Sequence, residues 1–303
     1  LTVPQILAAG VIVSVCICLI GLTGAVTWLN RLIPKSVIRG IQLSVGLSLL
    51  MKGIQMIDKT KNLIGLDSLS TGIVTFLLVL LSFHFKKIPV AILIFIVGML
   101  ISLNSSYGQV STSEFHLWFP HLYHLQLSDF ISAFPRAALP QIPLTLLNSV
   151  IAVCALSADL FPDYTLQPKK VAVSVGLMNL VSAWFGGMPM CHGAGGLAGK
   201  HRFGARTNGS IIFLGVVKML LAVLLGGAFA ILCTSFPLSI LGVMLSFSGL
   251  SLALVCRDQS EKVNAFVMLI TAGVSLALNH IAIGLVVGLI ISLGINKKIF
   301  SFE

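Results

Sequence analysis

Residues 186–207 read GGMPMCHGAGGLAGKHRFGART, and this stretch decides the fold. Glycines 186, 187, 193, 195, 196, 199 and 204 fall inside it, with a proline, a cysteine, two histidines and three strong bases. The segments on either side are apolar enough to cross a bilayer. A lipid-facing helix does not have this composition. Backbone broken by Gly and Pro is tolerated at membrane depth only where it is buried in protein or lines a polar cavity. In secondary transporters such a break aims the N-terminus of a half-helix at the substrate. The spacing predicts that Pro189 ends an approach segment and that Cys191-His192-Gly193 open a short helix. Lys200-His201-Arg202 then mark its exit into water.

The rest of the chain fits that setting. Of its 303 residues 57% are hydrophobic and 9% charged, with a mean hydropathy of +1.05; a soluble domain carries roughly 25% charged residues. The sequence therefore reads as an all-α polytopic membrane protein. With no polar linker, residues 1–303 read as a single transmembrane bundle. The net charge of +10 sits in short loops between apolar spans, which is the pattern of positive-inside topology rather than of nucleic-acid binding. The cysteines at 16, 18, 154, 191, 233 and 256 lie almost all within apolar spans, so no disulfide framework is implied. No metal site or cofactor is expected.

A span needs about 20 apolar residues, fewer for a half-helix. The expected spans are 4–29, 36–57, 70–85, 88–103, 137–158, 170–186, the short 191–200, 209–232, 236–255, 263–278 and 281–296. Residues 104–135 read as an extracytoplasmic loop. Its His116, Trp118, Phe119, His121, Tyr123 and His124 suit an interfacial helix at the headgroups, where Trp and Tyr collect. Alternating the spans puts fourteen Lys and Arg in one set of loops, Arg31, Lys35, Arg39, Lys86, Lys87 and Lys298 among them. The other set holds Lys52, Lys59, Lys61 and Arg136, and Lys218 is left inside a span. The richer side is cytoplasmic by the Lys/Arg bias, which places the C-terminus inside, in the cell membrane.

The chain also repeats itself. On a shift of 203, Gly24-Ala25 meets Gly227-Ala228, Pro34-x-Ser36 meets Pro237-x-Ser239, and Gly46-Leu-Ser-Leu49 meets Gly249-Leu-Ser-Leu252. On a shift of 190, Gly98-x-x-Ile-Ser-Leu103 meets Gly288-x-x-Ile-Ser-Leu293. An odd number of spans separates the copies, which predicts an inverted-repeat secondary transporter. Residues 1–103 are then the remainder of the first repeat and 136–303 the second. Repeat logic places roughly seventy further residues ahead of Leu1, with the first copy's own broken helix among them.

The chemistry follows from the helix end. Its unpaired N–H groups and positive dipole make an anion site without a charged side chain, and Gly193, Gly195 and Gly196 let an oxyanion approach the backbone. Cys191, His192 and Ala194 complete the expected first turn, with His192 as a donor or titrating group. A site of donors alone suits a sulfate-like or molybdate-like dianion better than phosphate, which often keeps a proton needing an acceptor. The alternative is that these glycines only let helices pack closely, as Gly195-x-x-x-Gly199 does in some membrane helices. A Cys191–His192 enzyme pair is disfavoured because adjacent helical residues diverge by about 100° and so do not face each other. Gly193-Ala-Gly-Gly-Leu-Ala198 imitates a dinucleotide fingerprint without its βαβ context. A second constellation, Gln141, Thr145, Asn148 and Ala152, forms one polar-to-small stripe on the span that Pro140 opens. Polar groups at that depth face a partner helix or a cavity.

The runs PQIPLTLLNSV (140–150), ADLFPD (158–163), residues 186–207 and GVMLSFSGLSLAL (242–254) resemble the molybdate transporter family, which is related to SulP-type sulfate transporters. The likeness covers nearly the whole chain. It implies fourteen spans as two inverted sevens, with a core domain moving against a gate domain by alternating access and the substrate between two half-helices. Met190–Gly199 matches the second of these and Gln141–Ser149 the span beside the pocket. The family's first motif, a PMPVQPMK-like run, falls ahead of Leu1, so the resemblance is to an N-terminally truncated member with the first repeat incomplete. Many SulP proteins carry a basic residue where Gly196 stands. The partners implied are a molybdate or sulfate oxyanion and the lipid bilayer, with a homodimer compatible and no nucleic acid. A channel-like anion pore is a further alternative.

Overall fold

The computed structural model describes residues 1–81, 90–106, 117, 119–164 and 166–297. Lys86, Lys87, His116, Trp118 and Lys298, which figured in the expected topology and loop, lie outside the described residues. Among those described, all regular structure is helical. Five helical runs are long and apolar enough to span a membrane by length and composition, and four shorter apolar helices accompany them.

The first three helices are α1 (Val3–Leu22), α2 (Ala25–Leu32) and α3 (Lys35–Asp58). Gly24 breaks the expected span 4–29 with φ +77°, a left-handed conformation that costs glycine nothing. α4 (Leu69–Leu81) and α5 (Val90–Ser105) follow. Far along the chain the same series recurs as α11 (Asn208–Leu225), α12 (Gly227–Thr234) and α13 (Leu238–Ala253), then α14 (Lys262–Ala277) and α15 (Ile281–Asn296). The expected span 209–232 breaks at Gly226, φ +52°, so both copies carry a long helix, a positive-φ glycine and an eight-residue helix. The repeat seen in the sequence is thus a repeat of elements.

Between the copies, Leu127–Leu160 is one helical run of 34 residues. It reads α6 (Leu127–Ala133), a π-helical turn Phe134–Ala138, α7 (Leu139–Leu144), a second π-turn Thr145–Ile151, and α8 (Ala152–Leu160). This corrects two expectations. The run starts inside the stretch 104–135 taken as loop, at a capping box in which the Gln126 N–H donates to Asp129 Oδ2 at 3.0 Å. Pro140 does not open the span; it lies within it, as do Pro135 and Pro143. Proline removes a donor and crowds the preceding turn, and a π-turn relieves that misfit without ending the helix. α9 (Pro168–Trp184) and α10 (Ala194–Arg202) complete the series.

The chain divides into two compact units of discontinuous segments. One unit comprises 1–48, 120–198 and 251–303. In its apolar core Ile17, Val37, Ile41, Leu147, Val150, Ile151 and Val175 are all at most 1% exposed. α1 and α9 approach closely through glycine: a Cβ on Gly176 would stand 2.7 Å from the Cys18 Cβ, and one on Gly21 3.0 Å from the Ala172 Cβ. The other unit comprises 49–119 and 199–250. Its core gathers Val79, Ile94, Ile240, Val243 and Phe247, and it contains an apolar cavity of about 550 Å³ between α4 and α5. There Asp67 accepts from the Leu238 N–H at 3.0 Å and the Ser239 N–H at 2.9 Å, capping α13 from a distant loop. Removing a cap costs about 1 kcal/mol. Asp67→Ala is therefore expected to lower the melting temperature by about 2–4 °C in a detergent melt, and an unchanged melt would show that water replaces the carboxylate.

Candidate anion site at a half-helix

Two helix ends built on glycine frame the site. At the end of α9 the Gly187 N–H donates to Ser182 O and the Gly186 N–H to Ala183 O, with Gly186 at φ +75°. At the end of α10 the Ala205 N–H donates to Lys200 O and the Gly204 N–H to His201 O, with Gly204 at φ +97°. Both are Schellman motifs, for which a left-handed glycine is the usual residue. A Cβ on Gly186 would also stand 2.5 Å from the Tyr123 ring, and the Tyr123 N–H donates to Trp184 O at 2.8 Å. The glycines at 186 and 204 therefore set where α9 stops and α10 stops.

Between them, residues 187–193 are non-helical. Pro189 seats on α1 at Gly10, where a Cβ would come within 2.6 Å of its Cγ. α10 begins at Ala194, three residues later than expected. Gly193 caps it, its carbonyl accepting from the Gly196 N–H at 3.0 Å and the Leu197 N–H at 3.2 Å. The Ala194 and Gly195 N–H groups fall in the first turn, where no intrahelical acceptor exists. No acidic residue lies in that turn, and Lys200, His201 and Arg202 sit in the last. Both features favour an anion at the start: the dipole's positive end is uncompensated there, and the bases stabilise its negative end. A Cβ built on Gly196 meets nothing within 4 Å, so that face of the first turn is open.

Cys191 and His192 accordingly precede the helix instead of opening it. Cys191 is exposed, and His192 Nε2 lies 3.0 Å from Ser174 Oγ on α9. Ala194 and Ala198, both buried, share an apolar cluster with Ala152, Val153 and Leu156 of α8, which sets the half-helix against α8. The other expected residues lie just before α8, Gln141 on α7 and Thr145 and Asn148 in the second π-turn. Gln141 Nε2 donates to Thr145 Oγ1 at 3.3 Å, and Thr145 is 4% exposed. Asn148 Oδ1 is buried without a hydrogen-bond partner in the structure. A buried amide end left unpaired costs roughly 1–3 kcal/mol and calls for a ligand or water. Rotated by half a turn about its terminal bond, the same carboxamide offers from Nδ2 a donor of the kind an oxyanion needs.

Two groups of residues are new. Asn179 on α9 holds the backbone of Met190; its only sequence signal is a lone Asn in an apolar helix. Arg39, counted among the loop bases although it falls within the expected span 36–57, lies inside α3 at 2% exposure. Its Nη1 donates to Asp159 Oδ2 at 2.5 Å, its Nη2 to Asp159 Oδ1 at 2.9 Å and to Asp258 Oδ2 at 2.7 Å. Nη1 also reaches Gln42 Oε1 at 2.9 Å, and Gln42 Nε2 donates to the Ala152 carbonyl at 3.0 Å. This network runs from three helix ends to the residue that follows the second π-turn.

A family described as "Molybdate transporter of MFS superfamily" matches residues 2–49 and 133–252. Molybdate transporter 2 of Arabidopsis thaliana is 36% identical over 334 residues, covering 97% of this chain and 72% of the relative. Molybdate transporter 1 of Chlamydomonas reinhardtii is 40% identical over 210 residues, 67% of this chain and 40% of the relative. Among solved structures, the murine Solute Carrier 26 family member A9 anion transporter in its inward-facing state superposes with a TM-score of 0.66 at 15% identity. That match covers 98% of this chain and 53% of the other, so the chain spans about half the length of that transporter. The likeness shows the fold, an all-helical inverted-repeat membrane bundle.

Proposed function

Because the chain belongs to the molybdate transporter family, we propose that it takes up a tetrahedral oxyanion, molybdate ahead of sulfate, by alternating access across the cell membrane. The carrying observation is the N-terminal end of α10, with its first-turn N–H groups, no acidic residue, and open space at Gly196. Backbone donors and a helix dipole bind a full dianion without the cost of burying a lysine or arginine. His192 and Asn148 are the side chains that complete the site. Sulfate, of the same charge and shape class, is the competing substrate. The Lys/Arg bias of the loops supports a cytoplasmic C-terminus.

Uptake of labelled molybdate by cells carrying the full-length gene tests this, with sulfate and phosphate as competitors. Saturable uptake, inhibited by sulfate more than by phosphate, is the expected result. Uptake without saturation would favour a pore instead. Asn148→Ala and His192→Ala each remove one hydrogen bond to a charged ligand, worth about 1.5–3 kcal/mol. Each is expected to raise KM roughly 10- to 100-fold, and unchanged affinity in both would remove them from the site.

A further inference from the structure

The start of the half-helix hangs on one buried carboxamide. Asn179, 5% exposed, accepts at Oδ1 from the Met190 N–H at 2.7 Å and donates from Nδ2 to the Met190 carbonyl at 2.6 Å. The same Nδ2 donates to the Val175 carbonyl at 3.1 Å. A carboxamide offers an acceptor and two donors side by side. Asn179 therefore pairs with Met190 as a neighbouring strand would, while staying bonded to its own helix. Ser174, five residues earlier on α9, adds a second tie through His192. Only Cys191, His192 and Gly193 separate the pinned peptide from Ala194. The orientation of Met190 thus passes directly into the direction of the first N–H groups of α10.

We propose that Asn179 is the positioning residue of the anion site: by holding both backbone groups of Met190 it aims the Ala194 and Gly195 N–H groups at the substrate. The inference rests on the oxyanion reading of the half-helix. No other side chain substitutes. Aspartate keeps the acceptor for the Met190 N–H but turns a second acceptor toward the Met190 carbonyl. Glutamine moves the amide by a methylene, and alanine leaves both backbone groups of Met190 unpaired.

The test uses the full-length protein, wild type and Asn179→Ala, Asn179→Asp and Asn179→Gln. Molybdate uptake against concentration is measured in cells, and hydrogen exchange on the purified protein. Loss of one or two hydrogen bonds at the clamp is expected to raise KM roughly tenfold or more in the Ala and Asp forms, with little change in surface level or maximal rate. Exchange is expected to accelerate across 186–197 and not elsewhere, and Gln is expected not to rescue. Accelerated exchange with a wild-type KM would overturn the proposal, leaving a purely structural tie, and so would unchanged exchange. If the Ala form does not fold, the isosteric Asp form decides by the same two readings. A wild-type protein that takes up no molybdate would sink the oxyanion reading and the positioning role with it; the exchange arm then still reports whether the clamp exists.

Discussion

The double substitution Asp159→Asn, Asp258→Asn is expected to cost about 3–5 kcal/mol, a large share of the total stability of about 5–15 kcal/mol that a folded domain has. The size follows from which partner is buried. Arg39 has a side chain 3% exposed, whereas Asp159 and Asp258 are each 31% exposed. Removing both carboxylates strands a guanidinium with no access to water. Arg39→Met does the reverse: the stranded carboxylates reach solvent, and Lys35 still pairs with Asp258 at 2.8 Å. That single change is expected to cost about 1–2 kcal/mol, near the penalty for unpaired polar groups. Adding it to the double variant is expected to restore most of the lost stability, since a buried charge exchanged for an apolar chain is often neutral. Arg39→Lys does not substitute, because Nε, Nη1 and Nη2 all donate and an ammonium lacks that planar fork. Melting temperature and monodispersity in detergent read the series. A double variant as stable as wild type, or a triple variant no better than the double, would show that the network contributes little.

The contrast between Gly186 and Arg39 says what a linear reading of this chain can reach. Gly186, Gly204 and Gly193 act locally, each ending or capping a helix within five residues, so the glycine-rich stretch announces a half-helix and places it to within three residues. The repeat was legible through equally local motifs, such as Gly24-Ala25 and Gly227-Ala228, and a positive-φ glycine breaks each copy at or beside that motif, Gly24 in one and Gly226 in the other. Arg39 lies 120 residues from Asp159 and 219 from Asp258, and no periodicity or spacing rule joins positions so far apart. The π-turns hid differently. Pro140 pointed to a helix start, yet it lies, with Pro135 and Pro143, inside one continuous run that two π-turns interrupt. Asn179 gave a signal that was readable but unspecific, a lone amide in an apolar helix, which usually bonds whatever neighbour the fold supplies. Its partner at Met190 emerges only once the non-helical approach segment is seen folded back on α9.

Gly196→Asp is expected to abolish molybdate uptake while leaving the protein as well folded as wild type. The two effects have opposite electrostatic signs, which is what makes the variant informative. For the fold, a Cβ at 196 meets nothing within 4 Å, glycine is the least favourable ordinary residue in a helix, and a carboxylate in the first turn gains about 0.3–1 kcal/mol from the dipole. For a bound dianion, a carboxylate at about 4 Å is repelled by about 4 kcal/mol per unit charge at an effective dielectric constant of 20. Even after screening, that puts the loss of affinity beyond about 100-fold. Gly196→Asn has nearly the same shape without the charge and is expected to keep most of the uptake. The order wild type, then Asn, then Asp far below, with closely spaced melting temperatures, is the signature of an anion held at the N-terminal end of α10. Equal transport by the Asn and Asp variants would place the substrate elsewhere in the bundle and leave the half-helix as packing alone.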